Sequence, residues 1–299
     1  RTTRRALRRG LTLLELMLAL ALTTIVLAVV GMAIDINLRA LDSRRDIVED
    51  AQLARAILRL IADDLRGAVQ TPDVEVHLCA RCHNRRSVAD VNSSHGLEPH
   101  APETAHLVGE SGWVPPGSGL ALGSISMTHG SPSNEKLCAT CHVAMYTVTD
   151  EATGEFEFQA VGHTFESIPC VDESGIPNGE AECAVDASAR SFAGCVDSGC
   201  HSNAESAAAL LNLRADNMAL QVEVLLDLLL QVDPNLDEPG GEIDATVATF
   251  TVAEGGYFNY SLATHGGDVY GSTTHNAPWM RALLEASIVA VMDEYGVSP

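Results

Sequence analysis

Hydrophobic and polar positions divide the chain into three kinds of segment. From Leu16 to Ile34 no charged residue occurs, a run just long enough to cross a bilayer as a helix. Beyond it the apolar residues thin to Ile47, Ala51, Ala54, Ile57, Ile61 and Leu65 in a charged background. That spacing predicts an amphipathic helix continuing the apolar one, with Gly67 and Pro72 as its stop signals. Ala215 to Val232 carries Val222, Leu225, Leu226 and Leu229 on one face and stops before Pro234, which predicts a core-facing helix. A last helix is expected from Asn276 as N-cap, with Pro278 in its first turn and Gly296 closing it. Tyr146–Thr149 and Phe156–Ala160 alternate around an Ala-Thr-Gly turn, the pattern of a hairpin. The expected fold class is mainly α: a long N-terminal helix, then a loop-rich domain with a short β-hairpin and a C-terminal helix.

Charge narrows the function classes. The chain of 299 residues carries 18 basic and 40 acidic residues, for a net charge of −22. Nucleic-acid binding needs a basic face to neutralise phosphates, so no nucleic-acid partner is expected. Only 4% of residues are aromatic, although 46% are hydrophobic. Eight cysteines and eleven histidines direct attention to metal, haem or disulfide chemistry.

Residues 1–10, RTTRRALRRG, hold five arginines and no acid. Basic residues ahead of an apolar span keep the N-terminus inside and export the rest. Glu15 stands at the edge of the span, where a carboxylate costs a few kcal/mol unless it is paired. The stretch RRGLTLLELMLALALTTIVLAVV resembles the class III leader of type IV pilins and pseudopilins. That resemblance implies cleavage after Gly10 and methylation of the new N-terminus at Leu11, where the family usually has Phe. It also implies that Glu15 meets the N-terminal amine of a neighbouring subunit during assembly. The expected organisation is a leader over 1–10, a membrane and spine helix over 11–68, and a second domain over 69–299. Two other signals compete: an ordinary secretory peptide, which lacks a clear small-residue cleavage site here, and a twin-arginine reading of TTRRAL.

Cys79-Ala80-Arg81-Cys82-His83 and Cys138-Ala139-Thr140-Cys141-His142 both read C-x-x-C-H, the attachment pattern of c-type haem. Two thiols a helical turn apart reach the two vinyl groups of one porphyrin, and the following histidine ligates the iron. Cys195 to His201, with four residues between the cysteines, is a longer variant of that pattern. Three covalent haems are therefore expected, with His83, His142 and His201 as proximal ligands. The competing reading is a zinc site of four thiolates from the two C-x-x-C pairs. Cys170 and Cys183 are not followed by His and are expected to form a disulfide closing a surface loop.

The 69–299 domain resembles multihaem c-type cytochromes of the pentahaem and octahaem kind, in patches. MTHGSPSNEKLCATCH nominates His129 as a distal ligand, GHTFESIPC nominates His163, and the terminal segment around THNAPWMRALL nominates His275. HAPETAHLVGESG adds His100, with His95 nearby. Ligation by two histidines leaves no open iron position, and no C-x-x-C-K motif occurs. The expected protein is an electron carrier rather than an enzyme. It would sit in the inner membrane with its haem domain outside the cytoplasm, then polymerise through its N-terminal helix into an extracellular filament. Redox proteins or extracellular acceptors would be its electron partners. Two alternatives are a membrane-anchored periplasmic or pilus-tip cytochrome that forms no conducting filament, and a redox enzyme with one open haem.

Overall fold

A computed structural model describes residues 13–69, 71, 73–90, 98–149, 153, 156–161, 165–180, 182–234 and 250–299. Gly10, Leu11, His95 and His163 lie outside the described residues. The chain divides into two compact units, Arg1–Leu65 and Arg66–Pro299.

Helix α1 (Leu13–Val69) runs unbroken for 57 residues. Gly67 does not stop it, and it continues to Val69; one glycine costs a helix only about 1 kcal/mol. Its Leu13–Leu38 stretch has a mean hydropathy of 2.6 and none of its side chains is buried. It is long and apolar enough to cross a membrane. Thr23 and Thr24 donate their hydroxyls back to the carbonyls of Ala19 and Ala21, which satisfies both polar groups within the apolar stretch. Glu15 lies in the first helical turn.

The second unit is built on three helices, α5 (Ala204–Val232), α6 (Val252–Ala263) and α7 (Tyr270–Tyr295). Leu225, Leu228, Leu229, Leu262, Trp279, Met280, Leu283, Leu284 and Val291 form their common core. Helix α5 begins at Ala204 rather than Ala215, because Asn203 caps it by accepting the Ser206 N–H at 2.8 Å. Leu228 takes the fully buried position, and Leu226 is only half-buried. Helix α6 was not expected from apolar periodicity. Its start is a capping box in which the Thr251 and Glu254 side chains each accept the other's backbone N–H.

Asn276 interrupts α7 with φ −160° and ψ 74°. Its Oδ1 accepts the Trp279 N–H at 3.2 Å, so it is the N-cap of the run that closes at the left-handed Gly296. A preceding stretch, Tyr270–His275, is carried as a separate turn of helix. Strands β1 (Met145–Thr149) and β2 (Phe156–Val161) form an antiparallel hairpin, with Met145 opposite Val161 and an irregularity at Val148/Thr149. The protein is mainly α.

Three short helices, α2 (Glu103–Val108), α3 (Cys138–His142) and α4 (Ala193–Val196), ride on loops. The loop after α2 is pinned to α6: Asn259 accepts the Trp113 N–H at 2.8 Å and donates to its carbonyl at 2.7 Å. Gly255 leaves the space that the Trp113 ring fills, since a Cβ there would lie 2.1 Å from it. Cys170 and Cys183 are joined as a disulfide across 13 residues.

Candidate haem and metal centre

The three cysteine–histidine motifs adopt one local plan. In the first, the His83 N–H donates to the Cys79 carbonyl at 3.0 Å around a 3-10 turn, Cys79–Arg81. The second lies wholly inside α3. In the third, the His201 N–H donates to the Cys195 carbonyl at 3.1 Å despite two extra residues. Gly199, with φ +77°, turns the chain back, a conformation open to glycine without steric cost. In every case the first cysteine and the histidine are brought to one side of a single turn.

Two of the motif histidines face a histidine from a distant part of the chain. The rings of His142 and His275 have centroids 6.2 Å apart, and those of His129 and His201 are 6.3 Å apart. Imidazoles on opposite sides of one metal ion, with metal–nitrogen bonds of about 2.0–2.1 Å, place their ring centroids roughly 6.4 Å apart. The interplanar angles, 13° and 60°, both suit such a pair, because rotation about the common axis is free.

The ring nitrogens point to the same roles. His142 donates from Nδ1 to the Phe165 carbonyl, His275 to the Gly271 carbonyl at 2.7 Å, and His129 to the Thr274 carbonyl at 2.6 Å. A carbonyl can only accept, so in each case Nδ1 carries the proton and Nε2 is the ligand-competent atom. Burial, then the neighbouring His142 and His129, push His275 down to about 4, although the Gly271 hydrogen bond opposes the shift. His201 is lowered first by burial and then by His129. In both imidazoles the shift favours the neutral form that a metal requires.

His83 is arranged differently. Its Nδ1 faces the Glu103 Oε2 at 3.2 Å, and the other carboxylate oxygen lies 3.7 Å from the His265 Nε2. Two backbone bonds fix this arrangement: the Thr104 N–H donates to the His83 carbonyl at 2.9 Å, and the Arg85 N–H to the Ala101 carbonyl at 3.1 Å. Sequence reading singled out neither Glu103 nor His265. The available signal was that Glu103 lies in the HAPETAH block that nominated His100. His100 is exposed, and no histidine ring faces it among the described residues.

The six motif cysteines are free thiols. Burial, then neighbouring Cys195, Cys200 and Cys138, push the Cys141 thiol up to about 12. Burial, then Cys79, push Cys138 up to about 11. The thiols of successive motifs therefore crowd together, 79 with 138 and 141 with 195 and 200. Helix α4 meets α3 at Gly194, where a Cβ would lie 2.9 Å from the Cys141 Cα. An open cleft lies between the second and third motifs, lined by His129, Cys141, Cys195, Cys200, His201 and Thr274.

A four-thiolate zinc site is not assembled. Cys82 is exposed, and Cys141 has Cys195 and Cys200 of the third motif as neighbours rather than the first motif's cysteines. Cys79, Cys138 and His77 have ligand atoms within 4.8 Å of one another. Both His77 nitrogens are engaged, however: Nδ1 accepts the Cys79 N–H at 3.2 Å and Nε2 faces the Lys136 carbonyl at 3.3 Å. His106 is likewise committed, to the Ser111 hydroxyl at 2.8 Å and the Ser272 carbonyl at 3.1 Å. Free paired thiols, each motif ending in histidine, and two facing imidazole pairs are a donor set that fits c-type haem.

No curated protein and no solved structure matches the chain. Residues 5–31 match the family model of the prokaryotic N-terminal methylation motif, and the apolar helix α1 gives the chain a type IV pilin-like N-terminus.

Proposed function

We propose that this chain is an electron carrier that holds three c-type haems outside the cytoplasmic membrane and assembles into a filament through its pilin-like N-terminal helix. The single observation that carries the haem reading is the pair of facing imidazoles, His142 with His275 and His129 with His201, at 6.2 and 6.3 Å. Cys79 and Cys82, Cys138 and Cys141, and Cys195 and Cys200 would form the thioether links, with His83, His142 and His201 as proximal ligands. His275 and His129 would close the second faces of two sites. Haem supplies, when bound, a one-electron ferric/ferrous couple at its iron. The chain's own residues hold imidazoles neutral, fix their tautomers through backbone carbonyls and keep successive attachment turns in contact. Two filled axial positions at the second and third motifs support a carrier rather than an enzyme. Acidic surface charge favours the more positive, ferric state and so lowers potentials.

The filament part rests on the matched N-terminal motif and on Glu15 in the first turn of α1. Expression with a c-type cytochrome maturation system tests the whole reading. Intact mass should show three covalent porphyrins, and sheared surface filaments should stain for haem. Glu15→Ala should abolish filaments while leaving the three adducts. A chain without adducts or a Soret band overturns the carrier reading; haem-loaded chains that never leave the membrane overturn the filament.

A further inference from the structure

We infer that Glu103 lowers the reduction potential of the iron site of His83, and so biases the direction in which electrons settle along the chain. This inference rests on the haem-carrier reading. It starts from a contrast between ligand supports. His142, His275 and His129 each donate from Nδ1 to a backbone carbonyl, a neutral acceptor. His83 instead faces a carboxylate, with its Nδ1 3.2 Å from the Glu103 Oε2. A carboxylate behind a ligating imidazole draws the Nδ1 proton towards itself and raises the basicity of Nε2. The more basic ligand, together with the nearby negative charge, stabilises ferric iron over ferrous.

The contact is built into the fold. Glu103 opens α2, and the backbone bonds from Thr104 to His83 and from Arg85 to Ala101 tie α2 to the first haem motif. Ala101 and Arg86, at the two ends of this clamp, have φ of +48° and +43°, values that cost non-glycine residues about 1–3 kcal/mol and persist only where the surroundings enforce them. His265 faces the second carboxylate oxygen at 3.7 Å. The Glu103 side chain is 32% exposed, so solvent weakens its field without removing it. The couple concerned is Fe(III) plus one electron giving Fe(II), with no bond made or broken at Glu103. Glu103 is a positioning and tuning residue, acting through His83.

Spectropotentiometric titration of the haem-loaded protein tests this directly. Glu103→Gln keeps the shape and a hydrogen-bonding side chain but removes the charge. It should raise one couple by about tenfold in its ferric/ferrous equilibrium, about 59 mV for one electron, and move the other two by less, because the same carboxylate acts on His275 and Cys138 of the second motif only through space. Glu103→Asp should restore part of the shift. Glu285→Gln, which removes an exposed carboxylate paired with Arg281, should move none of the couples selectively. Three unmoved couples in a Glu103→Gln protein that carries three adducts overturn this inference alone, as does an equal shift of all three. Absence of adducts in the wild type overturns the carrier reading, and the inference with it.

Discussion

The His129 Nδ1 donates to the carbonyl oxygen of Thr274 at 2.6 Å, and the next residue along the chain is His275. The two imidazole pairs are therefore joined through one hydrogen bond and one residue of backbone. His129 sits in the 3-10 turn Thr128–Gly130, and His275 ends the first part of α7.

The linkage leads to a ligand-removal prediction. His275→Ala leaves the Thr274 carbonyl in place, so it should remove one imidazole without disturbing His129. Electron paramagnetic resonance of the haem-loaded variant should show one low-spin centre converted to high spin. His129→Ala should convert a different one, and the double variant should convert two. Retention of all low-spin centres in either single variant would show that the 6.2 and 6.3 Å pairs do not ligate iron.

Gly194 makes a prediction about the join between the second and third motifs. A Cβ at this position would lie 2.9 Å from the Cys141 Cα and 3.0 Å from its carbonyl oxygen, closer than backbone atoms tolerate. Gly194→Val must push α4 away from α3, at a cost of about 1–3 kcal/mol. Thermal unfolding should shift downward, and the yield of the triply modified chain should fall, because two attachment turns lose their mutual support. An unchanged Tm would mean that α3 and α4 are not packed in this way.

The disulfide should separate stability from haem loading. Cys170 and Cys183 close a loop of 13 residues, for which chain entropy gives about 3 kcal/mol. The double substitution Cys170→Ser/Cys183→Ser should lower stability to denaturant by that order while three porphyrin adducts remain. Loss of an adduct would instead place one of these cysteines in haem attachment.

What could be read from the sequence follows from which forces are local. The apolar run, the helix stop at Pro234, the Asn276 cap and the hairpin are set by neighbours within a few residues, and each was legible. The full extent of α5 was not, because Ala204 to Ala209 contributes helix propensity without an apolar stripe, and the Asn203 cap goes unnoticed without one. Helix α6 announced itself only through Thr251-Val-Ala-Glu254. The site divides in the same way. The motif cysteines and histidines were legible by spacing, and His129 and His275 through family resemblance. Their pairing with His201 and His142 was not, because it depends on chain closure over scores of residues. Glu103 and His265 carry no periodic or spaced signal, because Glu103 meets His83 from 20 residues away and His265 from a further part of the chain.

Burial of His106 predicts a pH dependence of stability. Burial, then the nearby His275, push it down to about 3, with the Ser272 hydrogen bond acting in the opposite direction. Below the ordinary histidine value of about 6.5, the unfolded chain takes up a proton there that the folded chain refuses. Stability is therefore complete above about pH 6.5 and is lost as pH falls towards 3, by about 1.4 kcal/mol per unit for one proton. His275, pushed down to about 4, acts in the same direction, so the informative quantity is the difference between two proteins. His106→Gln keeps hydrogen-bonding capacity and cannot titrate. It should be less stable at pH 7, but its stability should fall by about 2 kcal/mol less than the wild type's between pH 7 and pH 5. Urea unfolding at the two pH values measures this, and parallel losses in both proteins would show that His106 is protonated in the fold and not sealed from solvent between Ser111 and Ser272.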